Sequence, residues 1–177
     1  MEFEQELEVE RAQKGSHEAF IHLTKPLELQ MYNIAKAIVR QDEDCADAMQ
    51  EAILKAYKSI ANLRNPSFFK TWLFRILINE CNTILRKRSN VVSLFGHEDA
   101  QSSTPNTDLN IDLREAVYRL EEVSRTIVIL HYFRDLPLRQ IAEMLDLNES
   151  TVKTRLHRAR TTLSQWLANH RERKINV

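Results

Sequence analysis

Lys153, Thr154, His157 and Arg158 fall at a spacing that gathers four polar side chains on one side of an α-helix. Arg and Lys can donate to guanine O6 and N7 and to phosphates, and Thr can reach a base edge or a thymine methyl. A helix offering such a face suits the DNA major groove. A second set lies in Phe68–Arg88, where Phe68, Phe69, Trp72 and Phe74 are followed by Arg75, Arg86, Lys87 and Arg88. Aromatic rings beside cations can stack on unpaired bases and hold a phosphate backbone, although aromatics at helical spacing more often fill a core. Phe69, Leu73 and Ile76 are expected in the core. A third set, Asp47, Gln50, Glu51 and Leu54, shares one side of the stretch Asp42–Leu63. Taken alone, that stretch says no more than amphipathic helix, with acids in its first turn serving the helix dipole.

These residues need helices to position them, and the composition supplies helix formers. The chain has 177 residues with only two glycines and four prolines, which favours an all-α protein over a sheet. Basic and acidic side chains balance at 25 each, so bulk charge does not point to nucleic acid. Their distribution does. The first ten residues carry Glu2, Glu4, Glu6, Glu8 and Glu10, whereas beyond Glu149 the charges are Lys153, Arg155, Arg158, Arg160, Arg171, Arg173 and Lys174 against Glu172. Cys45 and Cys81 lie far apart on expected helices and read as ordinary small residues, with neither a disulfide nor a zinc pattern. No signal peptide or membrane-spanning apolar run is visible, so a soluble cytoplasmic protein is expected. No Gly-rich phosphate loop, metal cluster or nucleophile constellation is visible, so neither an active site nor a cofactor is expected.

Along the chain, the acidic N-terminus starts a helix and Ser16 caps the next. Pro26 should divide the apolar stretch from Phe20 to Val39. In Asp42–Leu63 the apolar face is expected to be Ala46, Met49, Ile53, Ala56, Tyr57 and Ile60. Arg64-Asn65-Pro66-Ser67 reads as a turn. From Ser89 to Asn110 there is no Lys or Arg, and Ser, Thr, Asn, Asp, Gly96 and Pro105 cluster as in a linker. Leu113, Ala116, Val117 and Leu120 then begin a second helical domain, with Ser124 a candidate cap for the following helix. Leu138, Ile141, Ala142 and Leu145 make an apolar stripe, Asp146-Leu147-Asn148 interrupts it, and Val152, Leu156 and Ala159 begin another. Asn148 or Ser150 can cap that last helix. This is the pattern of a helix-turn-helix. The expected architecture is therefore two small helical domains, residues 1–89 and 112–177, joined by a flexible linker over residues 90–111.

The three sets together resemble a known family. Asp47-Ala48-Met49-Gln50-Glu51 resembles the D-x-x-Q-E signature of the extracytoplasmic-function sigma factors of bacterial RNA polymerase. Phe69-Lys70-Thr71-Trp72-Leu73-Phe74-Arg75-Ile76 resembles the F-x-x-W-L-[FY]-R-I signature, and Thr151 to Arg160 resembles T-V-[KR]-[ST]-R-[LIV]-x-R-[AG]-[RK]. All three in order across a linker are highly specific.

The resemblance implies a region 2-like first domain that binds core polymerase and melts the promoter, and a region 4-like second domain. Asp47, Gln50, Glu51 and Leu54 would dock on the polymerase clamp helices. Leu63, Arg64, Asn65, Trp72, Arg75, Asn79, Arg86, Lys87 and Arg88 would bind the melted minus-ten element, with the loop holding a flipped base. Ser150, Thr151, Lys153, Thr154, Arg155, His157 and Arg158 would meet the minus-thirty-five element, with Thr151, Arg155 and Arg160 better suited to phosphates or internal pairs. The linker would lie in the polymerase RNA path. The implied partners are core RNA polymerase, promoter DNA and an anti-sigma factor, of a kind that can be membrane-anchored, without membrane insertion of this chain. Two positions depart from the family pattern: Thr83 stands where many members carry Asp, and Ser150 where many carry Gly. The alternative reading is a helix-turn-helix regulator whose N-terminal domain senses or dimerises. It leaves the Asp47-Gln50-Glu51 group and the aromatic-cationic helix without a role.

Overall fold

The computed structural model describes the backbone of residues 2–95, 113 and 116–175, and side chains within 4–88, 113 and 116–168. Among these residues every regular element is helical. Internal contacts divide the chain into two units near residue 94.

The first unit begins with α1 (Glu2–Gln13), which buries Val9 and Ala12 against α2 (His17–Thr24). The turn between them needs Gly15 at φ +96°, a left-handed conformation that costs an L side chain energy. The Ser16 hydroxyl then caps α2 by accepting from the Ala19 amide, as expected. Pro26 lies in a 3₁₀ turn, Lys25–Leu27, which separates α2 from α3 (Glu28–Val39). α4 (Asp42–Ser59) follows a turn at Arg40, φ +67°. Lys36 and Tyr32 of α3 both donate to Asp42 of α4, at 2.7 and 2.8 Å, and hold its carboxyl below the usual aspartate value.

The buried stripe of α4 is Cys45, Ala48, Ala52 and Ala56, continued by Ile60. The face expected from the larger apolar residues is rotated from this one. Ala46 is exposed, and Met49, Ile53 and Tyr57 are only half-buried. Small residues let a neighbouring backbone approach closely, so the core takes the alanines and leaves the bulkier groups at its rim. A 3₁₀ turn, Ile60–Asn62, ends α4, and another, Pro66–Phe68, leads into α5 (Phe69–Phe95). Phe69, Leu73, Phe74, Leu77, Ile78 and Cys81 of α5 are buried, whereas Ile76 is only half-buried. Both cysteines are free and buried, and burial pushes the Cys81 thiol up to about 12. α5 continues past residue 89, so Val91, Val92, Leu94 and Phe95 are helical where a linker was expected. The rest of the expected linker lies outside the described residues.

In the second unit Ala116, Val117 and Leu120 are buried and Leu113 is exposed. α6 (Glu122–Tyr132) packs on α7 (Leu138–Leu145) and on α8 (Glu149–Ile175), which also packs on α7. Ile127, Val128, Ile129 and Leu130 from α6, Ile141, Ala142 and Met144 from α7, and Val152, Leu156 and Ala159 from α8 form the core. The α7–α8 turn depends on Asp146, which sits at φ 57°, ψ 46°. Its placement lets the Leu147 amide donate back to the Ala142 carbonyl at 2.9 Å, closing the helix end. Asp tolerates this left-handed position better than a β-branched residue. Asp146→Val should therefore lower the stability of the second unit by about 1–2 kcal/mol in urea denaturation, while Asp146→Gly retains it.

Candidate nucleic-acid interface

Burial of one stripe on each helix decides which side chains it offers outward. On α8, the buried Val152, Leu156 and Ala159 leave Lys153, Thr154, His157 and Arg158 exposed together. Lys153 pairs with Glu149 one turn earlier at 2.8 Å, and the Thr154 hydroxyl donates to the Ser150 carbonyl at 2.9 Å. Exposed ion pairs of this kind contribute at most about 1 kcal/mol, so Lys153 can be drawn to another acceptor at small cost. Ser150, Thr151, Thr154, Arg155 and Arg158 line a polar hollow of about 450 Å³ together with Ser124 of α6.

Arg155 is placed differently from its neighbours. It donates to Glu121 at 2.9 Å, an internal pair tying α8 to the start of α6. Glu121, not Ser124, caps α6: its carboxylate accepts from the amides of Val123 and Ser124, each at 3.2 Å, and from the Ser124 hydroxyl at 3.1 Å. Burial pushes the Glu121 carboxyl up, but these donors and the Arg155 charge outweigh it and hold the value below that of an ordinary glutamate. The sequence gives little warning of this role, because glutamate is not among the favoured capping residues and Arg155 lies two helices further along the chain.

In the first unit, Asp47, Gln50, Glu51 and Leu54 all stand exposed on α4. Of these, Gln50 and Leu54 line an open groove of about 640 Å³ whose apolar lining includes Phe20, Ile21, Met49, Ile53 and Tyr57. Trp72, Arg75, Asn79, Thr83 and Arg86 follow one another by three or four residues, so they share a face of α5. Trp72 is half-buried beside Phe69, with ring centroids 6.0 Å apart. Arg75 is half-buried, and Asn79 and Lys87 are exposed. Thr83 continues the face: its hydroxyl donates to the Asn79 carbonyl at 2.8 Å and accepts from Arg86 at 3.0 Å.

Three residues expected at the single strand also make contacts within the protein. The Leu63 side chain is buried and belongs to the core. The Asn65 side chain accepts from the Ser67 amide at 3.1 Å, capping the Pro66–Phe68 turn. Arg88 pairs with Asp44 of α4 at 2.7 Å and also donates to Gln41. The loop Arg64–Ser67 is in turn fastened by residues to which the sequence assigned no role. Gln13 of α1 donates to the Ile60 and Leu63 carbonyls at 3.1 and 2.8 Å, and Ser67 donates to Glu6 at 2.5 Å. Among the described residues no group of His, Cys, Asp and Glu side chains could hold a metal ion, and no helix is long and apolar enough to cross a membrane.

Comparison with known proteins matches both units. Residues 23–91 match the family described as Sigma-70 region 2, and residues 111–163 match Sigma-70, region 4. The chain is 37% identical over 134 residues to RNA polymerase sigma factor SigV of Bacillus subtilis, covering 72% of this chain and 78% of the relative. It is 32% identical over 172 residues to the ECF RNA polymerase sigma-E factor of Escherichia coli K12, covering 88% of this chain and 90% of the relative. In fold it is similar to CnrH in complex with the cytosolic domain of CnrY, with a TM-score of 0.63 at 20% identity, covering 93% and 97% of the two chains. It is also similar to the sigma factor RpoE in complex with the anti-sigma factor NepR from Bartonella quintana, with a TM-score of 0.57 at 23% identity, covering 84% and 96%.

The depressed Glu121 value fixes the sign of a pH effect. Its stabilisation is complete above the ordinary glutamate value and is lost as pH falls through the lower folded value, where the protonated group no longer serves Arg155 and the two amides. In acid unfolding of the intact chain, followed by Trp166 fluorescence in a Trp72→Phe background, Glu121→Gln should flatten this acid limb. The same substitution should cost about 1 kcal/mol at neutral pH, as for a weakened helix cap.

Proposed function

This chain belongs to the extracytoplasmic-function sigma factors, which direct RNA polymerase to promoters, and from that premise we propose how its residues divide the work. The reading rests above all on α8, where Lys153, Thr154, His157 and Arg158 stand outward together on a helix fixed by Val152, Leu156 and Ala159. This helix enters the major groove of the minus-thirty-five element. Lys153, Thr154, His157 and Arg158 meet base edges, and Ser150 and Thr151 meet the backbone. Arg155, already paired with Glu121, orients the helix.

In the first unit, the exposed Asp47, Gln50, Glu51 and Leu54 dock on core polymerase through α4. The loop at Arg64 and Asn65 takes an extruded nontemplate base of the minus-ten element, and the α5 face with Trp72, Arg75, Asn79 and Arg86 tracks the opened strand. Extruding a base costs a few kcal/mol of stacking, which a preformed site offsets. Lys87 adds backbone attraction. Leu63 acts from the core, and Arg88 acts by bracing α5 against α4. The chain contributes no active site; nucleotidyl transfer belongs to the polymerase. Its zero net charge suits a protein whose DNA affinity comes mostly through the holoenzyme. An anti-sigma factor is a further partner, a reading supported by fold neighbours in complex with the cytosolic domain of CnrY and with the anti-sigma factor NepR. A free-standing helix-turn-helix regulator is disfavoured, because it leaves the match over residues 23–91 unused.

Two substitutions separate these roles. Arg158→Ala should weaken use of cognate promoters by about 1–3 kcal/mol, the worth of a lost base contact, in run-off transcription with reconstituted holoenzyme. Unchanged transcription from every promoter contradicts the base-reading assignment. Glu51→Arg should weaken binding to core polymerase in a pull-down while circular dichroism stays unchanged. Undiminished binding reduces the acidic face to solvated surface.

A further inference from the structure

Gln13 lies on α1, ahead of the segment that matches region 2, yet it reaches across the unit to the loop assigned to the minus-ten element. Between the turns Ile60–Asn62 and Pro66–Phe68, Leu63 at φ −70°, ψ 107° and Asn65 at φ −125°, ψ 110° are extended on either side of a bend at Arg64. An extended stretch outside any sheet has no ladder partners, so its carbonyls must find other donors. The Gln13 amide carries two N–H groups: one donates at 2.8 Å to Leu63, in the extended stretch, and the other at 3.1 Å to Ile60, whose carbonyl also accepts from the Leu63 amide within the turn. Only this orientation of the amide lets it donate to both carbonyls. On the far side of the loop the Ser67 hydroxyl donates to Glu6, also on α1. The exposed Arg64 and Asn65 are thus suspended between two points fastened to one helix, and the buried Leu63 side chain anchors the nearer point.

We propose that Gln13 is a positioning residue for promoter opening, holding the Leu63–Ser67 loop in the shape that receives an extruded base; this rests on the loop assignment made above. A loop already held in place pays no ordering entropy when the base arrives. Loss of the Gln13 donors returns that cost to the binding step. Gln13→Glu adds a carboxylate opposite two carbonyls and should act at least as strongly as Gln13→Ala.

The test uses holoenzyme reconstituted with full-length Gln13→Ala, Gln13→Glu, Ser67→Ala and Arg64→Ala variants. The probes are the nontemplate single strand of a promoter selected by run-off transcription, and the same promoter as duplex with 2-aminopurine in the minus-ten element. The Gln13 variants should bind the single strand about tenfold more weakly, the size of one to two lost hydrogen bonds, and open the duplex more slowly. Their affinity for core polymerase should be unchanged. Ser67→Ala, which removes only the exposed tie to Glu6, should give a smaller loss in the same direction and covers the case in which the Gln13 variants do not fold. Parallel loss of core affinity and strand capture makes Gln13 a mere fold support and overturns the inference. Full strand capture by the Gln13 and Ser67 variants, with Arg64→Ala impaired, overturns the inference and leaves the loop assignment standing. Full capture by all of them, Arg64→Ala included, overturns the loop assignment and the inference together.

Discussion

Val152, Leu156 and Ala159 are buried against the α6–α7 pair, and that burial aims the α8 face. A helix that buries one stripe has no choice about the side chains on the other. Each buried apolar side chain of this size contributes about 1–3 kcal/mol, against at most about 1 kcal/mol for an exposed ion pair. Packing therefore decides orientation, and the pairs Lys153–Glu149 and Arg155–Glu121 only refine it. The same holds for α4, where Cys45, Ala48, Ala52 and Ala56 turn inward and leave Asp47, Gln50, Glu51 and Leu54 outside.

The cations divide by their attachments. The Lys153–Glu149 pair, within one helix and largely exposed, can exchange partners with a phosphate at little cost. Arg155 and Arg88 link different helices, through Glu121 and Asp44, so releasing either one loosens the frame as well as freeing a charge. Glu121 carries the heavier duty, since its carboxylate also caps α6. Basic residues close together in sequence thus take different parts: some stand outward with pairs inside their own helix, and others tie one helix to another.

The α8 stripe and its outward face were legible in the sequence because apolar residues recur there at helical spacing beside an evident turn. The helix-turn-helix was legible for the same reason, as were the Ser16 cap and the break at Pro26. The core of α4 was legible only at Ala56 and Ile60, both expected on the apolar face and both buried. Hydrophobic periodicity weighs the bulky Met49, Ile53 and Tyr57 above alanine, whereas close helix packing prefers Ala48, Ala52 and Ala56. The cap of α6 was misread because Ser124 is the more usual capping residue, while Glu121 gains its place from Arg155, a partner distant in the chain. Leu63 was read as part of a loop surface, but its apolar side chain is buried. Gln13 carried no local signal, since its partners are backbone carbonyls some fifty residues away that no side-chain pattern reveals.

The most direct test of this division of labour is site-specific photo-crosslinking in the holoenzyme–promoter complex, with the crosslinker replacing Glu51, Asn79 or Thr154 in separate preparations. The expected result is attachment of position 51 to a large polymerase subunit, of position 79 to the nontemplate strand near the minus-ten element, and of position 154 to DNA near the minus-thirty-five element. Attachment of position 154 to polymerase alone, or of position 51 to promoter DNA, would contradict the assignment of these faces.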